Sequence, residues 1–302
     1  MKYLIAGTGG VGGSIGGFLA LSGKDVSCIA RGQHLENIKK NGLKLISSLK
    51  GDRFAPVKAY SEEEYTDKAD VIFVCVKGYS LESITDFIKR SSHEKTLVIP
   101  ILNIYGTGAR IEALTGLQRV IDGCIYIVGF ISAPGEITQM GKVFRLVYGP
   151  RKGQNISEEL LAEVNSDLTE SGIKTALSDD IDRDTFIKWS FISAMACTGA
   201  FYNAPMGPLQ SNGKERDTFI GLSDESTALG RLMGIAIPAN QTELNLRVID
   251  ALAPESTASM QKDIEKGHQS EIDDLLFRFI RLAKSKGVEM PTYRIVSEKF
   301  EK

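Results

Sequence analysis

The chain has 302 residues, 42% hydrophobic and 25% charged, which are the proportions of a globular protein long enough for two domains of roughly 150 residues each. Its 36 basic and 38 acidic residues leave a net charge of -2, so no overall field attracts nucleic acid or an acidic membrane surface. Cys28, Cys75, Cys124 and Cys197 are scattered without CxxC pairing and read as small buried hydrophobes of a reducing compartment, and no apolar run approaches the ~20 residues of a membrane helix, so the cytoplasm is the expected location.

Short apolar runs at 3–6, 25–30, 71–76 and 96–101 predict strands, and amphipathic or small-residue stretches at 11–21, 35–40, 80–89 and 110–114 predict the helices between them. That alternation is the pattern of a parallel sheet with crossover helices. From Val120 the texture changes. Strands are expected over 124–131, 136–139 and 143–148, joined at Ala133-Pro134-Gly135 and Met140-Gly141, an antiparallel arrangement closing one edge of the sheet. A helix over 158–170 and a short strand over 173–176 complete the first half.

Beyond Ser178-Asp179-Asp180 the period is helical throughout, with main helices expected over 186–200, 219–233, 241–252 and 270–286. The expected fold class is therefore α/β, an N-terminal doubly wound sheet with an antiparallel edge followed by an all-helical C-terminal domain. The boundary is drawn as 1–177 and 178–302.

Gly7-Thr8-Gly9-Gly10-Val11-Gly12 fits GxGxxG, follows a strand and opens a helix, as a Rossmann-type pyrophosphate turn does. An NAD-selective site would place Asp or Glu at the end of the second strand. Here that place holds Ala30-Arg31-Gly32, and Arg31 suits the 2′-phosphate of NADPH. Lys77 and Asn103 follow the strands over 71–76 and 96–101, on the rim where such sheets bind ligands; Asn103 alone also fits a simple Asx turn.

Two ionisable residues in the second half fall on apolar faces. Lys188 is in helical register with Phe191, Ile192 and Met195, and Glu271 with Ile264 and Leu275. A lysine in a low-dielectric cleft titrates lower and donates protons near neutrality. Lys188 and Glu271 are therefore either a proton-transfer couple or a structural interdomain salt bridge, and periodicity does not separate the two. His34, His93 and His268 lie far apart with no metal-ligand spacing, so no metal is expected.

With these residues in view the chain resembles the ketopantoate reductases (2-dehydropantoate 2-reductases) over essentially its whole length. The matching pieces are Gly7 to Gly12, Ala30-Arg31-Gly32-Gln33-His34-Leu35, Val76-Lys77, Leu102-Asn103 with Gly106, Ser178-Asp179-Asp180-Ile181, Ile187-Lys188, Pro205-Met206-Gly207, Ser259-Met260-Gln261-Lys262-Asp263-Ile264 and Ser270-Glu271-Ile272-Asp273. The resemblance implies NADPH-dependent reduction of ketopantoate to pantoate in pantothenate biosynthesis, with the active site between a Rossmann domain and a helical domain. It implies that Gly7, Gly9, Gly10 and Gly12 hold the pyrophosphate, Arg31 the 2′-phosphate, and Lys77 and Asn103 the cofactor-facing rim. It further implies Lys188 as general acid, Glu271 positioning Lys188 and substrate, and Ser259 with Asn103 on the substrate.

The family usually carries asparagines where this chain has Ile192 and Ala196, and Gly where it has Ile104. These departures open two alternatives: a reductase of a more apolar 2-oxo acid, and an NADP(H)-binding regulator without turnover. Ser193 and Asn203 are near enough in sequence to replace the missing amides. A homodimer is left open.

Overall fold

The computed structural model describes residues 1–301. The chain forms two compact units, Met1–Leu102 with Gly106–Asp184, and Asn103–Tyr105 with Thr185–Lys302.

The first unit contains, in succession, β1 (Lys2–Ala6), α1 (Gly10–Leu21), β2 (Asp25–Ile29), α2 (Gly32–Asn41), β3 (Leu43–Ser47), β4 (Gly51–Ala55), β5 (Lys58–Tyr60) and β6 (Ala69–Val74). It continues with α3 (Thr85–Arg90), β7 (Ser92–Pro100), α4 (Thr107–Thr115), β8 (Asp122–Ala133), β9 (Glu136–Gly149), α5 (Glu158–Glu170) and β10 (Lys174–Leu177). β5-β2-β1-β6-β7 form one all-parallel sheet. Its central strands are buried on both faces, which is why their sequences are continuous apolar runs.

The expected antiparallel edge is not on this sheet. β8 and β9 pair with each other in a second sheet, ordered β10-β9-β3-β4 with β8 on β9. The physical reason lies in α1, whose residues from Gly12 to Ala20 are all buried. A Cβ at Gly16 would touch Ile5 and Cys28 of the parallel sheet, whereas one at Gly13 would meet Ile137 and one at Gly17 Leu45 of the second sheet. A helix apolar on every side is covered on every side, so the hairpin stacks over α1.

β9 is also one strand rather than two. The extra residues near Met140-Gly141 form a bulge, with Gly141 at φ +75, and the side-chain amide of the buried Gln139 donates to the carbonyls of both residues.

α6 (Ile181–Tyr202) begins in the first unit and continues into the second. Its first residues stay with the first unit because Ser178 N–H donates to Tyr148 O and Ile181 packs on Cys124 and Val147. The contact boundary therefore falls after Asp184, not at 177. The second unit adds α7 (Met206–Gln210), α8 (Lys214–Leu232), α9 (Gln241–Asp250), α10 (Ser259–Glu265), α11 (Arg278–Ser285) and α12 (Pro291–Ser297), with a π-helical turn at Asp273–Phe277 running into α11.

Among the described residues no helix is long and apolar enough to cross a membrane, and no His/Cys/Asp/Glu group could hold a metal ion. Among the described residues no cysteine forms a disulfide, and burial pushes the Cys28 and Cys197 thiols up to about 12.

Candidate active site

In the first unit, β1 delivers the chain into the glycine turn. Gly7 has φ +105, a conformation closed to most side chains, and a Cβ at Gly12 would lie 2.1 Å from the Gly7 carbonyl oxygen and 2.8 Å from Ile5. These two glycines let α1 start directly against β1. Gly10 meets β8 instead, since its Cβ would lie 2.1 Å from Gly129 O. Gly9 differs from all three: nothing lies within 4 Å of its Cβ position, and no side chain caps the start of α1 behind it. An uncapped helix N-terminus facing open space is a seat for a phosphate group.

His34 locks this turn. Gly135 N–H donates to its Nδ1 at 2.8 Å, which leaves Nε2 to carry the proton toward Thr8 O at 2.9 Å. The ring therefore ties the glycine turn to the β8–β9 hairpin, a role the sequence did not disclose. Burial lowers its pKa from the ordinary value. The unfolded chain then takes up the proton first, so stability is constant above about pH 6.5 and falls as the pH drops below it. Urea midpoints measured down through that range should show this component in the wild type and lack it in His34→Ala.

Arg31, extended at the start of α2, is ion-paired with Glu62. Lys77 stands half-buried beyond the end of β6, ahead of the short turn Gly78–Ser80.

In the second unit, Lys188 on α6 is only 6% exposed, and its Nζ donates to Asn103 Oδ1 at 2.7 Å. Tyr105 brings Asn103 there. Its ring stacks on Trp189 at 6.1 Å and meets Phe186 edge-on at 5.2 Å, and its carbonyl accepts from Arg278 at 2.9 Å. Aromatic pairs of this kind contribute about 0.5–1.5 kcal/mol beyond area burial, enough to hold a three-residue segment on α6. Asn103, Lys188 and Glu271 thus belong to one unit, and any ion pair between Lys188 and Glu271 would not be interdomain.

Glu271, also 6% exposed, lies two residues before the π-helical turn. Its register with Leu275 holds, Leu275 N–H donating to Glu271 O at 2.9 Å, but Ile264 is on α10, which ends at Glu265 before Gly267 at φ +66.

Two descriptions of the ketopantoate reductase PanE/ApbA family match this chain, the main one over residues 3–153 and its C-terminal one over residues 180–301. The chain belongs to the ketopantoate reductase family. It is 30% identical to the uncharacterized oxidoreductase YkpB of Bacillus subtilis (strain 168) over 98% of this chain and 96% of the relative. It is 30% identical to a 2-dehydropantoate 2-reductase of Mesorhizobium japonicum, over 97% and 94%. The crystal structure of a PanE/ApbA family ketopantoate reductase from Ralstonia eutropha JMP134 superposes with a TM-score of 0.88 at 26% identity, covering 98% of this chain and 96% of that one. The chain is accordingly an oxidoreductase.

The positions where the resemblance expects asparagines and a glycine are apolar here. Ile192, one turn beyond Lys188, is half-buried, Ala196 is buried, and so is Ile104. Ser193 does not replace the missing amides. It is fully buried and hydrogen-bonds Leu275 O and, at 2.7 Å, the Tyr293 hydroxyl, whose pKa burial pushes well up. Asn203 is exposed past the end of α6 at φ +51. Ser259 is exposed in the first turn of α10.

Ser193 and Trp189, whose Nε1 donates to Asp274 O at 3.1 Å, instead pin the π-helical turn behind Glu271 to α6. Ser193→Ala should cost about 1–3 kcal/mol, because buried polar partners lose a bond. Denaturant unfolding of the variant against wild type checks this.

Proposed function

We propose that this chain reduces a 2-oxo acid to the 2-hydroxy acid with NADPH, and that ketopantoate, reduced to pantoate for pantothenate biosynthesis in the cytoplasm, is its first candidate substrate. The observation that carries the reading is the buried Lys188 ammonium held by a neutral amide, Nζ to Asn103 Oδ1 at 2.7 Å. The named reductases to which the chain is similar support the substrate.

When bound, the reduced nicotinamide supplies the hydride. The chain supplies the rest. Gly7, Gly9, Gly10 and Gly12 shape the seat for the pyrophosphate, Arg31 answers the 2′-phosphate, and Lys77 and Asn103 complete the rim. Ser259 receives the substrate carboxylate. As negative charge develops on the former carbonyl oxygen, Lys188 Nζ gives it a proton, and the resulting amine recovers one from solvent. Asn103 contributes an acceptor without charge, so it orients the ammonium while leaving its positive charge available to the developing alkoxide. Glu271 orients Lys188 and the substrate. A homodimer is part of the reading and is checked by sedimentation.

Ile192 and Ala196 favour a second version in which the acid is more apolar than ketopantoate. A site without amide partners for a hydroxyl does not select strongly for it. Comparing kcat/KM across a panel of 2-oxo acids, with NADPH and NADH side by side, tests both. Preference for ketopantoate supports the first version, preference for branched apolar acids the second, and no turnover with any member contradicts both.

A further inference from the structure

Arg31 does not stand alone at the end of β2. Ala30 N–H donates to Tyr60 O at 3.1 Å, so the end of β5 runs alongside, and two residues further on Glu62 forms an ion pair with Arg31. The arginine side chain is 73% exposed and the glutamate 20%.

The segment carrying Glu62 is held from several sides. Ser61 N–H donates to Glu64 Oε2 at 2.8 Å and Glu64 N–H to Ser61 Oγ at 3.3 Å, a reciprocal cap. Lys39 of α2 pairs with Glu64 at 2.6 Å. Arg90 donates to the carbonyls of both Glu62 and Tyr65. The backbone carrying Glu62 is thus set in place, and its carboxylate, the less exposed of the pair, lies against Arg31.

We propose that Glu62 is a specificity-determining residue for the cofactor, tempering the preference that Arg31 alone would give for a 2′-phosphate and leaving NADH an accepted cofactor. The inference rests on the reading that the first unit takes a dinucleotide. A 2′-phosphate must displace Glu62 from Arg31 and then sit near a carboxylate of like charge whose backbone is held in place. A 2′-hydroxyl suffers neither penalty and can donate a hydrogen bond to that carboxylate. The other charged groups facing the pair are Glu63, whose carboxyl is held low chiefly by its Ser61 hydrogen bond, and Arg90. Because the ion pair is exposed, its displacement is a modest barrier, which makes Glu62 a moderator rather than a block.

The test is calorimetric titration of the purified protein with NADPH and with NADH, without substrate. Wild type should bind the two within about tenfold of one another. Glu62→Gln should tighten NADPH by about fivefold and leave NADH within about twofold. Arg31→Met should weaken NADPH and spare NADH. The gap between wild type and Glu62→Gln should also narrow as salt is raised. If both dinucleotides bind and Glu62→Gln leaves their ratio unchanged, this inference fails and the dinucleotide reading stands. If wild type binds neither, both fail together.

Discussion

Lys188→Met should lower the turnover of 2-oxo acid by about 10²–10⁴-fold, the span associated with loss of a positioned general acid, while dinucleotide affinity stays close to wild type. The two effects separate because Lys188 and Asn103 belong to the second unit and the glycine turn and Arg31 to the first. Methionine has similar length without the charge, so packing around the buried stem is largely kept. Asn103 Oδ1 loses its donor, and some loss of stability, about 1–3 kcal/mol, accompanies the change. Turnover measured at saturating substrate, with a calorimetric dinucleotide titration of the same preparation, distinguishes loss of chemistry from loss of fold. Near-normal turnover in the variant would remove Lys188 from the mechanism.

The second large effect is a contrast between two alanines in the same turn. Gly12→Ala forces a Cβ to within 2.1 Å of the Gly7 carbonyl oxygen, a backbone atom that cannot rotate aside, and should cost about 1–3 kcal/mol or more as α1 is pushed off β1. Gly9→Ala meets nothing within 4 Å and keeps an extended φ of -79, so its cost is limited to a poorer helix cap, at most about 1 kcal/mol. The methyl group nevertheless enters the open space before the α1 N-terminus, and dinucleotide affinity should fall by about tenfold or more, equivalent to ~1.4 kcal/mol. Unfolding midpoints should place Gly12→Ala well below Gly9→Ala, and cofactor titration of the stably folded Gly9→Ala reports whether Gly9 faces the ligand. If Gly9→Ala binds as wild type does, the pyrophosphate is not seated there.

The parallel strands were readable because their residues are buried on both sides, as the run from Val71 to Val74 illustrates. The helical half was readable from its period. What the sequence concealed has identifiable causes. β4, Gly-Asp-Arg-Phe-Ala, is exposed along four of its five residues and carries no apolar signature, and β5 is only three residues long. The second sheet is not legible in the hairpin pattern over 124–148, which shows antiparallel pairing but not which sheet it joins; that is decided by α1, whose Gly16 faces one sheet and Gly13 and Gly17 the other.

At the site, Lys188 and Glu271 stood out as charges on apolar faces, and both are buried. The Lys188 partner did not stand out. Asn103 reaches it through Tyr105, and a lone tyrosine in a loop gives no sign of the aromatic cluster it enters. Ser193 looked like a candidate substrate ligand because burial of a hydroxyl against a π-helical carbonyl has no local signature. Likewise, nothing in a solitary histidine indicated that His34 would tie the glycine turn to the hairpin.

The most direct test of the chemistry follows the hydride itself. NADPH deuterated at the transferable position of its nicotinamide is incubated with the wild-type protein and ketopantoate or the preferred member of the 2-oxo acid panel, and the product is read by mass spectrometry. The predicted product is the 2-hydroxy acid carrying one deuterium on the former carbonyl carbon, its hydroxyl proton coming from Lys188 and ultimately from water. A hydroxy acid without deuterium, or no oxidation of the dinucleotide with any acid, would contradict the account.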